Sequence, residues 1–385
     1  MTALTRDVAI AGVGYSELFR GPSPPPRALT FAAARAALDD CGLTGVDIDG
    51  IFEYKFGAES PGAQDAARMI GSPNLAAFAD IMGTGPSGLA APLAGVMAVA
   101  SGVCETVLAY RCITRDAGYT GGMVEGPDRV GGTAQFLTPY GYLGGIMVNM
   151  AMQKRRRIAE FGGSAEDFGQ IALNARRWSA LNPRAALRDP ITMDDYLSSR
   201  PIVDPLLLLD CDYPVSASVA TVITTLERAR DLRQAPVVVE AMSFGTGPRC
   251  DWVFGDDYLF GGTIPCARNL WSKTSITPAD IDVAELYDGF TVVTISWIEA
   301  LGLCGIGEFG DWVDDGRRIG PGGELPINTS GGQLAEGRLH GVSFLNEAVV
   351  QLRGQCGARQ VPGAEIALVS SGLFPQASAM VLTTA

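Results

Sequence analysis

Few side chains in this sequence can move protons near neutral pH, and their scarcity narrows the chemistry. The single histidine, His340, follows the glycine-rich segment Asn328-Thr-Ser-Gly-Gly-Gln-Leu-Ala-Glu-Gly-Arg-Leu and stands at the expected start of a helix. A neutral imidazole there can donate to a carbonyl or relay a proton, whereas a lone His elsewhere is commonly structural. The eight cysteines (Cys41, Cys104, Cys112, Cys211, Cys250, Cys266, Cys304 and Cys356) are scattered. With no C-x-x-C pair and no neighbouring His they read as reduced thiols and not as a zinc site. The turn Gly83-Thr-Gly-Pro-Ser-Gly88 offers Ser87 as a hydroxyl nucleophile. A serine nucleophile needs an adjacent base, so Ser87 reads more simply as a helix cap.

The elements that must position these residues follow βαβ grammar. Residues 8–13 branch and alternate like a buried strand, and residues 28–40 are Ala-rich with helical spacing. A small-residue helix is expected over 87–100 and a strand over 105–110, which together imply a covered, mostly parallel sheet. Leu43-Thr-Gly-Val-Asp-Ile-Asp49 recurs as Ile276-Thr-Pro-Ala-Asp-Ile-Asp282, each time ahead of a short apolar strand. Further on in each half come a Gly-rich turn, a helix and a strand, over 83–110 and again over 331–369. Two halves of one design are the economical reading. The boundaries expected are 1–112 for the first half, 113–235 for an inserted loop and helical region, and 236–385 for the second half. The inserted region carries helical stretches near 144–161 and 165–181 and a returning strand near 215–225, and reads as a lid or pocket wall.

Composition excludes several classes. The net charge of −13 argues against a nucleic-acid surface, which needs clustered cations to neutralise phosphates. The one basic run, Lys154 to Arg157, reads either as a solvated helix face or as a cationic patch for the phosphates of an anionic cofactor such as CoA. No run approaches the roughly 18 apolar residues of a membrane span, and the first residues lack a signal-peptide core, so a cytoplasmic protein is expected.

The segments GPSGLAAPLAGVMAVASGVCETVLAYR, FLTPYGYLGGIMVNMA, LLLLDCDYPVSASVATVITTLERARDL, ELYDGFT and LPINTSGGQLAEGRLHG, in this order, resemble the thiolase superfamily. The resemblance spans nearly the whole chain and is narrowest toward the lipid-transfer-protein-like branch that includes steroid side-chain retro-aldolases. It implies an α/β protein with a five-layered αβαβα fold of two similar halves, assembled as a homodimer through an edge of the first half. It also implies a bulky β-hydroxyacyl-CoA substrate split into a ketone or aldehyde and a shorter acyl-CoA. No bound metal or redox cofactor is expected, and a partner subunit with an OB fold and zinc ribbon is. An acyltransferase that works without Cys and a non-catalytic lipid-CoA binding scaffold are the competing readings.

The same resemblance assigns roles. Gly85 stands where a thiolase carries its nucleophilic Cys, and the tail Ala367-Leu-Val-Ser-Ser-Gly372 lacks the second thiol. Oxygen and nitrogen groups must then do the acid–base work. Tyr287, in ELYDGFT, is the first candidate for the base that takes the β-hydroxyl proton, provided neighbours depress its ordinary pKa of roughly 10. It could instead be a strand-end Tyr with its hydroxyl tied to backbone. Arg338 stands where the steroid retro-aldolases carry a second Tyr. Arg cannot serve as a base, so it would stabilise an alkoxide, an enolate or ionised Tyr287, or pair with Glu336 or Asp288. Asp288 is expected to face away from Tyr287 and anchor a neighbouring loop. Gly331 and Gly332 would let backbone approach the thioester. Trp252, Phe254, Tyr258 and Phe260 would line an acyl pocket or pack between lobes.

Overall fold

The repeated heptapeptide folds the same way twice. In a computed structural model describing residues 6–55, 60–82, 88–114, 146–247, 257–372 and 376–385, each copy makes a one-turn 3-10 helix, Gly45–Asp47 and Pro278–Asp280. Thr44 donates its N–H and hydroxyl to Asp47, and Thr277 does the same to Asp280, so each turn is closed by its own sequence. The last Asp of each copy then receives two backbone N–H groups at the start of a distant strand. Asp49 accepts from Glu105 and Thr106, and Asp282 from Glu365 and Ile366. A seven-residue repeat thus fixes the same strand pairing in both halves.

Those pairings build the sheet. The strands are β1 (Val8–Tyr15), β2 (Gly50–Lys55), β3 (Ala77–Met82), β4 (Thr106–Ile113), the short ribbon β5 (Pro201–Val203) and β6 (Leu206–Leu207), β7 (Ala217–Thr225), β8 (Val237–Thr246), β9 (Val283–Glu285), β10 (Ile366–Gly372) and β11 (Gln376–Thr384). Nine of them pair in the order β3-β2-β4-β7-β1-β8-β11-β10-β9. β2 runs parallel to β3 and β4, and β9 parallel to β10, as the repeat requires, but the other five pairings of the nine strands are antiparallel, so the sheet is mixed and not the mostly parallel one expected. Within the sheet the two halves join through only two residue pairs, Ala9 with Val238 and Ile10 with Val237.

Alternation along the strands separates the layers. Leu108, Tyr110, Ala220 and Val222 point to one face, where they pack on Ala33, Ala34 and Ala37 of α1 (Pro26–Cys41) and Ala63, Ala66 and Ala67 of α2 (Ala63–Ile70). The packing is close because the facing residues are small. A Cβ added at Gly14 would lie 2.2 Å from the backbone of Ala37. Val107, Ala109 and Ile223 point the other way, toward α3 (Ala90–Ala100). α8 (Val342–Leu352), from the second half, shares that middle layer: Asn346 donates to the carbonyls of Gly14 and Ala220 and accepts from Thr221. On the far side α6 (Thr263–Trp271) covers β8 and β11, and α7 (Thr291–Ala300) packs against it. The result is the expected αβαβα sandwich.

Region 113–235 supplies α4 (Ile146–Phe161), α5 (Ala165–Ala180) and the returning strand β7, within a few residues of the expected positions. The basic run on α4 departs from both expectations for it. Helical spacing puts Lys154 and Arg157 on one face, and that face is buried. Lys154 donates to Asp210 at 2.7 Å and Arg157 grips Glu299 through two bonds of 2.7 and 2.6 Å. Arg155 and Arg156 remain exposed and pair with Asp204 and Glu160. The run is therefore half core, half solvated face. No helix among the described residues is long and apolar enough to cross a membrane.

Candidate active site

Both halves deliver chemistry to one place. Tyr287 leaves the end of β9 with its N–H donated to Ser370 Oγ of β10, and its ring is 2% exposed. The ring lies between bare backbones. A Cβ at Gly289 would sit 2.9 Å from the phenol oxygen, and one at Gly341 would sit 3.5 Å from the ring edge. The next hydroxyl of β10, Ser371, donates to the His340 carbonyl and accepts from Gly88 N–H, both at 3.0 Å. The tail that lacks a second thiol thus uses two serines to hold the Tyr287 and His340 segments.

Tyr287 is a neutral phenol. Burial pushes its pKa well above the ordinary range, Asp212 and Tyr54 add to this, and Gln333 and Arg338 oppose it. Gln333 is fully buried; its carboxamide oxygen accepts from His340 N–H at 2.7 Å. Its Nε2 lies beside the phenol and has no other hydrogen-bond partner among the described residues. This donor beside the phenol escaped the sequence reading although it lies inside the glycine-rich segment.

His340 adopts φ +55°, just ahead of Gly341, the N-cap of α8. Burial and the charges of Arg111 and Arg338 hold its pKa well below the ordinary value, so the ring is neutral. Arg111 Nη2 lies 3.4 Å from Nδ1; since Arg only donates, Nδ1 accepts and Nε2 carries the proton. Arg111, on β4, is fully buried and lies over the Tyr54 ring at 5.0 Å, and Tyr54 in turn meets the His340 ring edge-on. Thus β2 and β4 of the first half complete a site whose other residues come from the second. Neither Tyr54 nor Arg111 carries a local sequence signal, because only the sheet order brings them to His340.

Arg338 pairs with neither Glu336 nor Asp288. Its partner is Asp212, at 3.5 Å from Nη1, while Glu336 is taken by Arg184 and Asn182. Asp288 anchors a neighbouring loop as expected, although β9 ends before it: its carboxylate accepts the N–H groups of Gln333 and Leu334. Burial nevertheless raises its pKa to about 7. Gly331 and Gly332 adopt φ +96° and +60°, and the close approach they permit is to protein. Added Cβ atoms would meet Ser179 at 2.5 Å and Asp288 at 1.9 Å, so the backbone that approaches here approaches α5 and the Asp288 carboxylate.

Gly85 and Ser87 lie outside the described residues, as do Trp252 and Phe254. Of the other two aromatics, Phe260 is buried core and Tyr258 donates to Asn149. Thiolate chemistry finds no support among the described cysteines. Burial pushes Cys41 and Cys104 up to about 11 and Cys266 and Cys304 to about 12, and it raises Cys211 and Cys356 as well.

Comparison with known proteins shows the family and the fold. Residues 256–384 match the family described as Thiolase C-terminal domain-like. The chain is 36% identical to 17-hydroxy-3-oxo-4-pregnene-20-carboxyl-CoA lyase of Mycobacterium tuberculosis, over 98% of this chain and 100% of that protein. It is 33% identical to a steroid side-chain-cleaving aldolase of Thermomonospora curvata, over 99% of both. Among solved structures, one described as the Ltp2-ChsH2(DUF35) aldolase superposes with a TM-score of 0.90 at 32% identity, covering 100% of this chain and 99% of that one. Human mitochondrial 3-ketoacyl-CoA thiolase, at 15% identity and a TM-score of 0.71 over the full length of both chains, shares the fold.

Proposed function

Because the chain belongs to the thiolase superfamily, in the lipid-transfer-protein-like branch with the steroid side-chain-cleaving aldolases, we propose that it is a carbon–carbon lyase. It performs a retro-aldol cleavage of a bulky β-hydroxyacyl-CoA, releasing a ketone or aldehyde and a shorter acyl-CoA. The observation that carries this reading is the set of groups around Tyr287: a neutral phenol, an open amide donor on Gln333, a guanidinium and a carboxylate, while burial raises the thiols of Cys41, Cys104, Cys211, Cys266, Cys304 and Cys356. Claisen chemistry needs a sulfur nucleophile, whereas retro-aldol cleavage needs a proton acceptor at the β-hydroxyl and donors for the thioester enolate.

Tyr287 takes the β-hydroxyl proton. Arg338 and the Gln333 amide favour negative charge on its oxygen, and neutral His340 donates from Nε2 to the developing enolate. The reaction is redox-neutral, so it calls for no redox cofactor. The relatives' names support a steroid acyl group and, for the aldolase structure, an assembly with a second protein. A partner subunit with an OB fold and zinc ribbon, and a cytoplasmic setting, belong to the same reading.

The test incubates the protein, alone and with its partner subunit, with 17-hydroxy-3-oxo-4-pregnene-20-carboxyl-CoA, with and without free CoA. A steroid ketone and a shorter acyl-CoA formed without consumption of CoA is the expected result. Cleavage that requires CoA would make the protein a thiolase, and binding without turnover would make it a scaffold.

A homodimer through the first half has its own support. β3 has one strand neighbour, β2, and its exposed positions include Phe78 and Met82 at 49% and 65%. Met97 and Phe244 extend the apolar surface beside it. An exposed apolar sheet edge of this kind is ordinarily covered. The double variant Phe78→Glu/Met82→Glu is expected to run as a monomer in light scattering at concentrations where the parent is a dimer; a monomeric parent would remove the proposal.

A further inference from the structure

Tyr287 poses a problem that it cannot solve alone. A phenol whose buried surroundings keep it protonated accepts a proton only if its own proton leaves at the same time. Some other group must receive that proton. Building on the lyase reading, we propose that Asp212 is the terminal proton acceptor of the cleavage, drawing the β-hydroxyl proton through Tyr287.

Geometry singles out this carboxylate. The Asp212 side chain is 9% exposed and makes one polar contact among the described residues, the long one of 3.5 Å to Arg338. The neighbouring candidates are occupied. Asp288 accepts two backbone N–H groups, Asp210 accepts from Lys154, Tyr196 and Leu207, and Glu336 is tied to Arg184 and Asn182. Among the described residues, Asp212 combines acceptor capacity with a charge that acts on the phenol. Its N–H donates to the carbonyl of Gly289, the glycine under the Tyr287 hydroxyl, at 3.1 Å. On its other side Tyr213 donates to the Gln333 carbonyl and accepts from Arg338 N–H, each at 2.9 Å. The strap formed by residues 210–213 is therefore stitched to the segments carrying Tyr287, Gln333 and Arg338, and its placement does not depend on the ion pair.

The step balances without a co-reactant. The β-hydroxyl proton moves to the Tyr287 oxygen as the phenolic proton moves on to Asp212. The Cα–Cβ bond breaks, its electron pair forms the thioester enolate, and the β-oxygen becomes a carbonyl. The proton then returns from Asp212 through Tyr287 to Cα, so the cycle neither gains nor loses one.

Among the described residues, the charged and titratable groups that interact with Asp212 are Arg338, Tyr287, Asp288 and Cys211. Burial raises the Asp212 pKa to about 6 against the pull of Arg338. An acceptor must be ionised, so kcat of the full chain with its partner subunit, on the steroid β-hydroxyacyl-CoA above, is expected to fall as pH drops through about 6. Asp212→Asn should lower kcat about 100-fold and abolish that limb, with acyl-CoA binding unchanged. Asp212→Glu should restore part of the rate together with a limb. Asp212→Asn that keeps the limb, or stays within threefold of the parent, would overturn the proposal, since Asp288 would then own the titration. Should Asp212→Asn not fold, a parent profile flat between pH 5 and 8 overturns it equally. A parent that cleaves no β-hydroxyacyl-CoA refutes the lyase reading itself, a result separate from any property of the variant.

Discussion

Replacing Tyr287 with Phe is expected to lower kcat by about 10³-fold or more, in the upper part of the range for a positioned acid–base group. Affinity for the acyl-CoA and thermal stability should scarcely change. The ring is held by packing between Gly289 and Gly341 and by the backbone bond from Tyr287 N–H to Ser370, all of which Phe keeps. What disappears is one oxygen. With it go the route from the β-hydroxyl to Asp212 and the partner that the Gln333 amide faces. A loss in kcat with unchanged binding is the signature of an interaction made in the transition state. Steady-state rates beside calorimetric binding of a non-cleavable acyl-CoA would measure it, and a variant within threefold of the parent would remove Tyr287 from the chemistry. The companion change, Gln333→Leu, separates roles: the oxygen survives but its amide neighbour does not.

The sequence revealed the frame of this site better than its contents. The Leu43–Asp49 and Ile276–Asp282 repeats announced two halves, because a capped turn and a strand-pairing Asp are local devices written in consecutive residues. The helices of the inserted region were legible from their period. Tyr287, His340 and Arg338 could be picked out because they lie in or beside motifs, and the structure brings the three together. Asp212, Gln333, Arg111 and Tyr54 could not, since each gains meaning only from a partner far away in the chain. Asp212 is an unremarked Asp until the strap lays it against Gly289, 77 residues on. Arg111 is a strand residue until sheet order sets it beside His340. Gly331 and Gly332 stand between these cases: their special backbone was legible, and the neighbours for which their missing Cβ atoms leave room, Ser179 and Asp288, were not.

The basic run on α4 carries the same lesson into stability and sets up the other large effect, since replacing Lys154 with Met should cost about 3–5 kcal/mol. Lys154 is 1% exposed and Asp210 fully buried, with the ammonium also 4.5 Å from the centre of the Phe168 ring. Charges at such depth are tolerable only as a set. Asp210 accepts from Lys154, the Tyr196 hydroxyl, the Thr291 hydroxyl and Leu207 N–H. Without the ammonium, three neutral donors face an uncompensated carboxylate. Met keeps the length and packing of the stem, so the loss measured by denaturant unfolding reports the charge and not a cavity. Adding Asp210→Asn to Lys154→Met should recover much of the stability, because the amide oxygen keeps acceptor capacity without a net charge. A single variant within 1 kcal/mol of the parent would show the pair to be dispensable. The consequence reaches catalysis because Asp210 opens the strap that ends at Asp212 and Tyr213, and because Thr291, its other partner, begins the helix that follows Tyr287. One buried ion pair therefore holds the proton acceptor's segment and the phenol's segment to a common post, and a Lys154→Met protein that still folds should lose kcat by more than it loses affinity for acyl-CoA.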